Sequence, residues 1–113
     1  MSQAKMADIA HMLLEQTRHD KINWSEIPVS ENSFYTAYPD YTIRITKNTR
    51  DGHKLSIHSQ KGTEIDAISS RVRFSDMASM LEEIFNIARR GALKTEDVLD
   101  DVLNRLRQES TPT

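Results

Sequence analysis

The 113-residue chain has no cysteine and only three glycines, at positions 52, 62 and 91. Without thiols it cannot form disulfides or thiolate metal sites, and it offers no cysteine nucleophile. The glycines are too far apart to form a phosphate-binding loop. The first 21 residues lack a long apolar run, so we expect neither a signal peptide nor a membrane-spanning helix. These absences favour a cytoplasmic protein in a reducing compartment.

Net charge and chain length limit the expected partners and the number of domains. The formal net charge of −2 provides no general attraction to a phosphate backbone, so nucleic acid is not an expected partner. The length suits one domain, residues 1–113, because two separate cores would each be too small. We expect residues 109–113 to form a disordered tail.

The spacing of apolar residues predicts the order of the elements. Helical spacing over residues 3–19 predicts an N-terminal helix, and a period of two between residues 34 and 68 predicts three or four strands. Helical spacing returns from residue 77 and is interrupted near Gly91, which predicts two further helices. We therefore predict an α+β fold: an N-terminal helix, a three- to four-stranded antiparallel β-meander, and a C-terminal antiparallel helix pair packed on one face of the sheet.

Alternating apolar residues also predict the register of the strands. One side of the sheet should be apolar and covered by helices, and the other should be polar. The expected pairs are Ile45 with Leu55 and Ile43 with Ile57 in one hairpin, and Ile57 with Ile65 and Leu55 with Ala67 in the next.

The polar side of this sheet carries the candidate catalytic residues, Arg44, His58 and Glu64. A histidine beside a carboxylate, with an arginine nearby, can act as acid, base and anion clamp in metal-independent phosphodiester cleavage. The alternative is a solvated sheet face on which opposite charges stabilise strand pairing. We favour the alternative because exposed antiparallel faces usually carry these residue types.

Two further groups have a possible binding role. His11, Glu15 and His19 recur every four residues on the first helix, but no fourth ligand is evident, so we expect no metal and no other cofactor. Arg71, Arg73, Arg89 and Arg90 could form a basic patch that contacts nucleic acid. The helix dipole alone accounts for arginines at a helix end, which is where Arg89 and Arg90 fall.

The second predicted helix has an apolar stripe wider than the roughly 100° that a one-sided surface helix needs. Its candidate interaction surface comprises Met77, Met80, Ile84 and Ile87. Methionine adapts readily to a protein partner. The alternative is that neighbouring helices bury the whole stripe.

A resemblance covers roughly the last two-thirds of the chain. It rests on the strand region from Phe34 to Ile45 and on helical positions that include Leu81, Ala88, Arg89, Arg90, Ala92, Leu93, Val98, Leu99, Leu103 and Leu106. With these residues the chain resembles small bacterial proteins of unknown function that have an α-β-β-β-α-α plan. The resemblance implies a bacterial or phage origin and supplies no catalytic residue.

The combined expectation is a small non-enzymatic interaction protein, such as an adaptor, an inhibitor or a regulatory subunit, that binds a protein partner or itself. A metal-independent nuclease-like enzyme and a weak nucleic-acid binder are the alternatives.

Overall fold

The structure is a computed structural model that describes residues 2–28, 30–50, 52–71 and 76–109. The elements in chain order are α1 (Ser2–Arg18), β1 (Ser25–Ile27), β2 (Ser30–Ala37), β3 (Tyr41–Asn48), β4 (Gly52–Ser59), β5 (Glu64–Ser69), α2 (Met77–Ala92) and α3 (Thr95–Glu109). The strands form one antiparallel sheet in the order β1-β2-β3-β4-β5. The predicted α+β class, with its N-terminal helix, antiparallel meander and two C-terminal helices, is confirmed. Arg73 and residues 110–113 of the predicted tail lie outside the described ranges.

Within those ranges the sheet has five strands, one more than the largest number predicted. The additional strand is β1, which pairs with β2 through Ser25–Tyr35 and Glu26–Phe34. Three residues are too few to show a period of two, and Pro28 follows them directly. The sequence pattern therefore gave no indication of this strand.

The register between β3 and β4 is as predicted, with Ile45 opposite Leu55 and Ile43 opposite Ile57. The predicted register between β4 and β5 is wrong. Leu55 lies opposite Ile68 and Ile57 lies opposite Asp66, with an irregularity in the pairing between Ile57 and His58.

The shifted register has a clear physical reason. It places Ile68, which is 2% exposed, in the core opposite Leu55. There the isoleucine side chain fills the position that was predicted for the smaller Ala67. Ile65 is 63% exposed as a result. Gly62, at φ 89°, has the left-handed conformation expected of it in the turn between these strands.

The core lies between one face of the sheet and two helices. Both α1 and α2 contact the sheet and each other. The core is made of apolar side chains from both helices, from β2 to β5 and from the segment before β1. They are Met6, Ala10, Leu13, Leu14, Trp24, Phe34, Ile43, Ile45, Leu55, Ile68, Met77, Met80, Leu81, Ile84, Phe85 and Ala88.

The last helix contributes nothing to this core. All the residues of α3 are at least partly exposed, and its contacts are with α2. The break between the two helices falls at Leu93 and Lys94 rather than at Gly91, and Lys94 adopts a left-handed φ of 51°. The molecule is elongated, with extents of 67 × 32 × 28 Å.

The different burial of α2 and α3 predicts different responses to truncation. Leu81→Ala should lower the free energy of unfolding by about 2–5 kcal/mol, because a fully buried leucine leaves a cavity. The matched change Leu103→Ala, at a side chain that is 48% exposed, should alter it by less than about 0.5 kcal/mol. Urea unfolding of dilute protein measures both, and comparable losses would contradict this placement of α3.

Candidate interaction surface

The polar face of the sheet brings part of the candidate catalytic set into register. His58 lies between Thr42 and Glu64 on the neighbouring strands, and Arg44 lies opposite Ser56. Asp66 falls opposite Ile57 instead of Ser56, because β5 has one extra residue, Ile65, between the partners of Ile57 and His58.

His58 is bonded on both sides within its own hairpin. Its Nδ1 lies 3.3 Å from the carbonyl oxygen of Gly62, and its Nε2 lies 2.9 Å from the hydroxyl of Ser56. A carbonyl oxygen can only accept, so in the neutral ring Nδ1–H donates to Gly62 and Nε2 accepts from Ser56. This is the arrangement of a base and a nucleophile, but His58 is 8% exposed and Ser56 is 3% exposed. Both groups are therefore closed to a dissolved substrate.

The other two candidates have separate surroundings. The carboxylate of Glu64 pairs with the ammonium of Lys54 at 2.7 Å. Arg44 lies between Tyr35 on β2 and Ser56 on β4, and within the described ranges its Nε is buried without a hydrogen-bond partner. Three surface cavities of about 380 to 480 Å³ are lined by residues other than Arg44, His58 and Glu64.

The predicted basic patch is spread along the molecule. Arg71 is exposed and precedes α2, whereas Arg89 and Arg90 lie in the last turn of that helix. Arg90 forms an ion pair with Glu96 at the start of α3. Arg89 and Leu93 line a shallow cavity beside β1.

Three of the four residues of the interaction surface predicted on α2 are buried. Met77 and Ile84 are fully buried and Met80 is 8% exposed, while Ile87 is partly exposed. The stripe of α2 is wide because the helix touches both the sheet and α1, so apolar side chains are needed on two sides.

The exposed apolar surface lies on α3 instead. Five large apolar side chains of this helix are 44% to 56% exposed: Val98, Leu99, Val102, Leu103 and Leu106. At 3.6 residues per turn they cover an arc of about 140°. We call them the α3 stripe. The sequence pattern does reveal an amphipathic helix here, but it does not reveal that the rest of the chain leaves it uncovered.

A cavity of about 390 Å³ lies at the base of α3, between the ends of α1 and α2. Its lining includes Ile22, Trp24 and Ile87 from the body of the protein and Thr95 and Asp97 from α3. Thr95 lies on the same face of the helix as the α3 stripe. The stripe therefore leads into this cavity.

An ion pair at the surface of the protein joins α1 to α2. The guanidinium of Arg18 contacts the carboxylate of Glu83 through two bonds, of 2.5 and 2.7 Å. The hydrogen bond from Arg18 lowers the pKa of Glu83, and the same bond raises the pKa of Arg18. Because the pair is exposed to solvent, it adds little to stability.

His53 packs against Phe85 of α2 and is partly buried there. Its ring lies 5.2 Å from that of Phe85, and partial burial lowers its pKa from the ordinary value of 6.5. Lys47, its neighbour across the strands, lowers the pKa further, whereas Glu82 opposes the shift.

The lowered pKa of His53 predicts a pH dependence of stability. The unfolded chain binds the proton more tightly than the folded chain, so protonation favours unfolding. The contribution is complete above the unfolded-state pKa of 6.5 and is lost as the pH falls below it. Urea unfolding between pH 7.5 and 5.5 should show a smaller loss of stability for His53→Gln than for the wild type. An equal loss in both proteins would contradict the assignment.

The histidines and the glutamate that recur every four residues on α1 do not form a metal cluster among the described residues. Glu15 and His19 approach to 3.1 Å, yet the described residues include no group of three or more side chains arranged to hold a metal ion. Among the helices described, none is long and apolar enough to cross a bilayer.

Comparison of the chain with models of known protein families, with curated proteins and with solved structures gave no match. Function therefore has to be inferred from the geometry of this chain.

Proposed function

We propose that the protein is a small non-enzymatic interaction protein and that the α3 stripe is its contact surface. The observation that supports this is the exposure of five large apolar side chains on one face of a helix that has no buried residue. In this proposal the protein acts in the cytoplasm as an adaptor, inhibitor or regulatory subunit, and it self-associates. The resemblance noted in the sequence supports a bacterial or phage setting.

The α3 stripe differs from the scattered apolar residues that most protein surfaces carry. Its members are contiguous on one helix face and are bordered by charged residues, which is the usual pattern of a surface that is covered in a complex. The opposite face of the helix is polar, with Asp97 and Asn104. The helix therefore has the amphipathic pattern of a core helix without a core to cover.

The stability of α3 also points to a partner. Isolated helices become marginal in water as their length falls to about 12–15 residues, and α3 has 15 residues with little tertiary support. Burial of the stripe against a second surface would stabilise the helical state. Recognition of this kind, in which an amphipathic helix lays its apolar face on a partner, requires no catalytic group.

The polar sheet face supports the non-enzymatic part of the proposal. The bonds of His58 and the ion pair of Glu64 are made within the chain. These groups stabilise the hairpins in which they lie, and the burial of Ser56 and His58 separates them from solvent.

A pair of adjacent substitutions tests the proposal. Leu103→Asp places a carboxylate in the α3 stripe, whereas Asn104→Asp places the same group on the opposite face. Loaded at a concentration well above about 10 μM, the wild-type chain should elute in an assembly larger than its own 13.0 kDa. Asn104→Asp should elute in the same way and Leu103→Asp as a free chain, because only the latter places a charge in the contact.

Size-exclusion chromatography with light scattering makes the measurement, and circular dichroism shows whether each variant is folded. Elution of all three proteins as free chains, or equal assembly of both variants, would contradict the proposal.

A further inference from the structure

We propose that the partner of the α3 stripe is α3 of a second copy of this chain, packed against it in the antiparallel direction. This inference rests on the proposed function and specifies the occupant of the surface. It follows from the distribution of charge along α3, from the register of the stripe and from the cavity at the base of the helix.

Charge is divided unequally between the two halves of α3. The first half carries four acidic residues, Glu96, Asp97, Asp100 and Asp101, whereas the second half carries the basic Arg105 and Arg107 and one acidic residue, Glu109. Two parallel copies would place the acidic halves side by side, and like charges across an interface oppose association. Two antiparallel copies would place each acidic half beside a basic half. The charge pattern therefore selects the antiparallel direction.

The charged residues also border the stripe on both sides. At 100° per residue, Asp101 and Arg105 lie on one flank, and Glu96, Asp100 and Arg107 lie on the other. Within one chain the Arg105 Nε and the Asp101 carboxylate are 3.0 Å apart. Across a two-fold axis the same two side chains can pair reciprocally, so that this flank carries two ion pairs between the copies.

The apolar register agrees with the charge register. If the two-fold axis passes between Val102 and Leu103, Leu99 lies level with Leu106 of the second copy, and Val102 lies level with its Leu103. The same axis brings Asp101 to within one residue of Arg105 of the second copy. One register thus pairs four of the five members of the stripe and brings Asp101 close to Arg105, while Val98 lies level with Arg107 of the second copy.

The cavity at the base of α3 extends this contact. In the antiparallel arrangement the C-terminal end of the second copy's α3, Gln108 and Glu109, lies beside Thr95 and Glu96, which line the cavity. Lys94 lines the same cavity, and its ammonium can pair with the carboxylate of Glu109. Ile22 and Trp24 on the opposite wall offer apolar surface to the same segment.

The contact remains small, because a 15-residue helix is only about 22 Å long. Specific interfaces that bury less than about 1,200 Å² in total are usually transient. We expect a dissociation constant on the order of 10 μM, so that dimers form and separate readily.

Because the chain has no cysteine, single cysteines can report the direction of pairing. We would prepare Leu99→Cys and Leu106→Cys, mix them at about 100 μM, oxidise them, and identify the cross-linked peptides by mass spectrometry. The antiparallel register predicts that the 99–106 disulfide forms at least tenfold faster than the 99–99 disulfide. Two copies of residue 99 would be offset by about 10 Å along the axis, beyond the reach of a disulfide. Asn104→Cys, on the opposite face, is the matched control and should cross-link no faster than free collision allows.

Each outcome is decisive. Predominant 99–99 cross-links would establish parallel pairing and overturn the proposed direction. Cross-linking at the rate of the Asn104→Cys control, with light scattering showing a monomer, would overturn the second copy as occupant. In that case a native assembly with a different protein that is lost in Leu103→Asp would preserve the interaction role of the α3 stripe and overturn only its self-association, so the two failures are distinguishable.

The ionic contribution has its own test. Asp101→Arg and Arg105→Asp should each raise the dissociation constant about tenfold, because each creates like-charged neighbours across the interface. The double variant restores opposite charges and should return to within about threefold of the wild type. Sedimentation equilibrium measures these constants. Unchanged constants in both single variants would overturn the charge selection of the antiparallel direction.

Discussion

The apolar face of the sheet has room for two helices, and the rest of the structure depends on this limit. Helices α1 and α2 cover that face and contact each other, so Ile45, Leu55 and Leu81 are completely removed from water. Burial of apolar surface is the main favourable contribution to folding, and here it is complete before the chain reaches residue 93. Among the described residues, the sheet has no open apolar face left for a third amphipathic helix. Its exposure follows from the completeness of the core.

The opposite face of the sheet is stabilised in a different way. Short polar side chains bond along and across the strands, as Ser56 does with His58 and Ser33 does with Thr46 at 3.0 Å. These bonds satisfy groups that the neighbouring side chains shield from water, which is a requirement for burying them. Residue types that are common in active sites therefore occur here as partners in strand pairing. Because helices cover one face of the sheet and hydrogen bonds stabilise the other, the sheet with α1 and α2 needs no further layer of secondary structure.

The sequence was sufficient to predict the class and the order of the main elements because these depend on local periodicity. The β3–β4 register was also predictable, since both strands alternate without interruption. The β4–β5 register was not, because an irregularity next to His58 lets Ile68 replace Ala67 in the core and leaves Ile65 exposed. The candidate surface was assigned to α2 rather than α3 for a related reason. The width of an apolar stripe shows how much surface a helix can bury, but only the packed structure shows which of two such helices is covered.

The junction between α2 and α3 consists of Leu93 and Lys94, and the ion pair of Arg90 with Glu96 spans it. Because only two residues join the 15-residue helix α3 to α2, a small rotation at this linker produces a larger displacement at the far end of α3. A rotation of 10° at the joint would move the far tip by about 4 Å, given a rise of 1.5 Å per residue. In a dimer formed through α3, rotation at the two linkers would change the distance and tilt between the sheets of the two copies while the contact between their α3 helices stays intact. The span of the assembly would then be set by backbone torsions at two residues, independently of the affinity that holds it together.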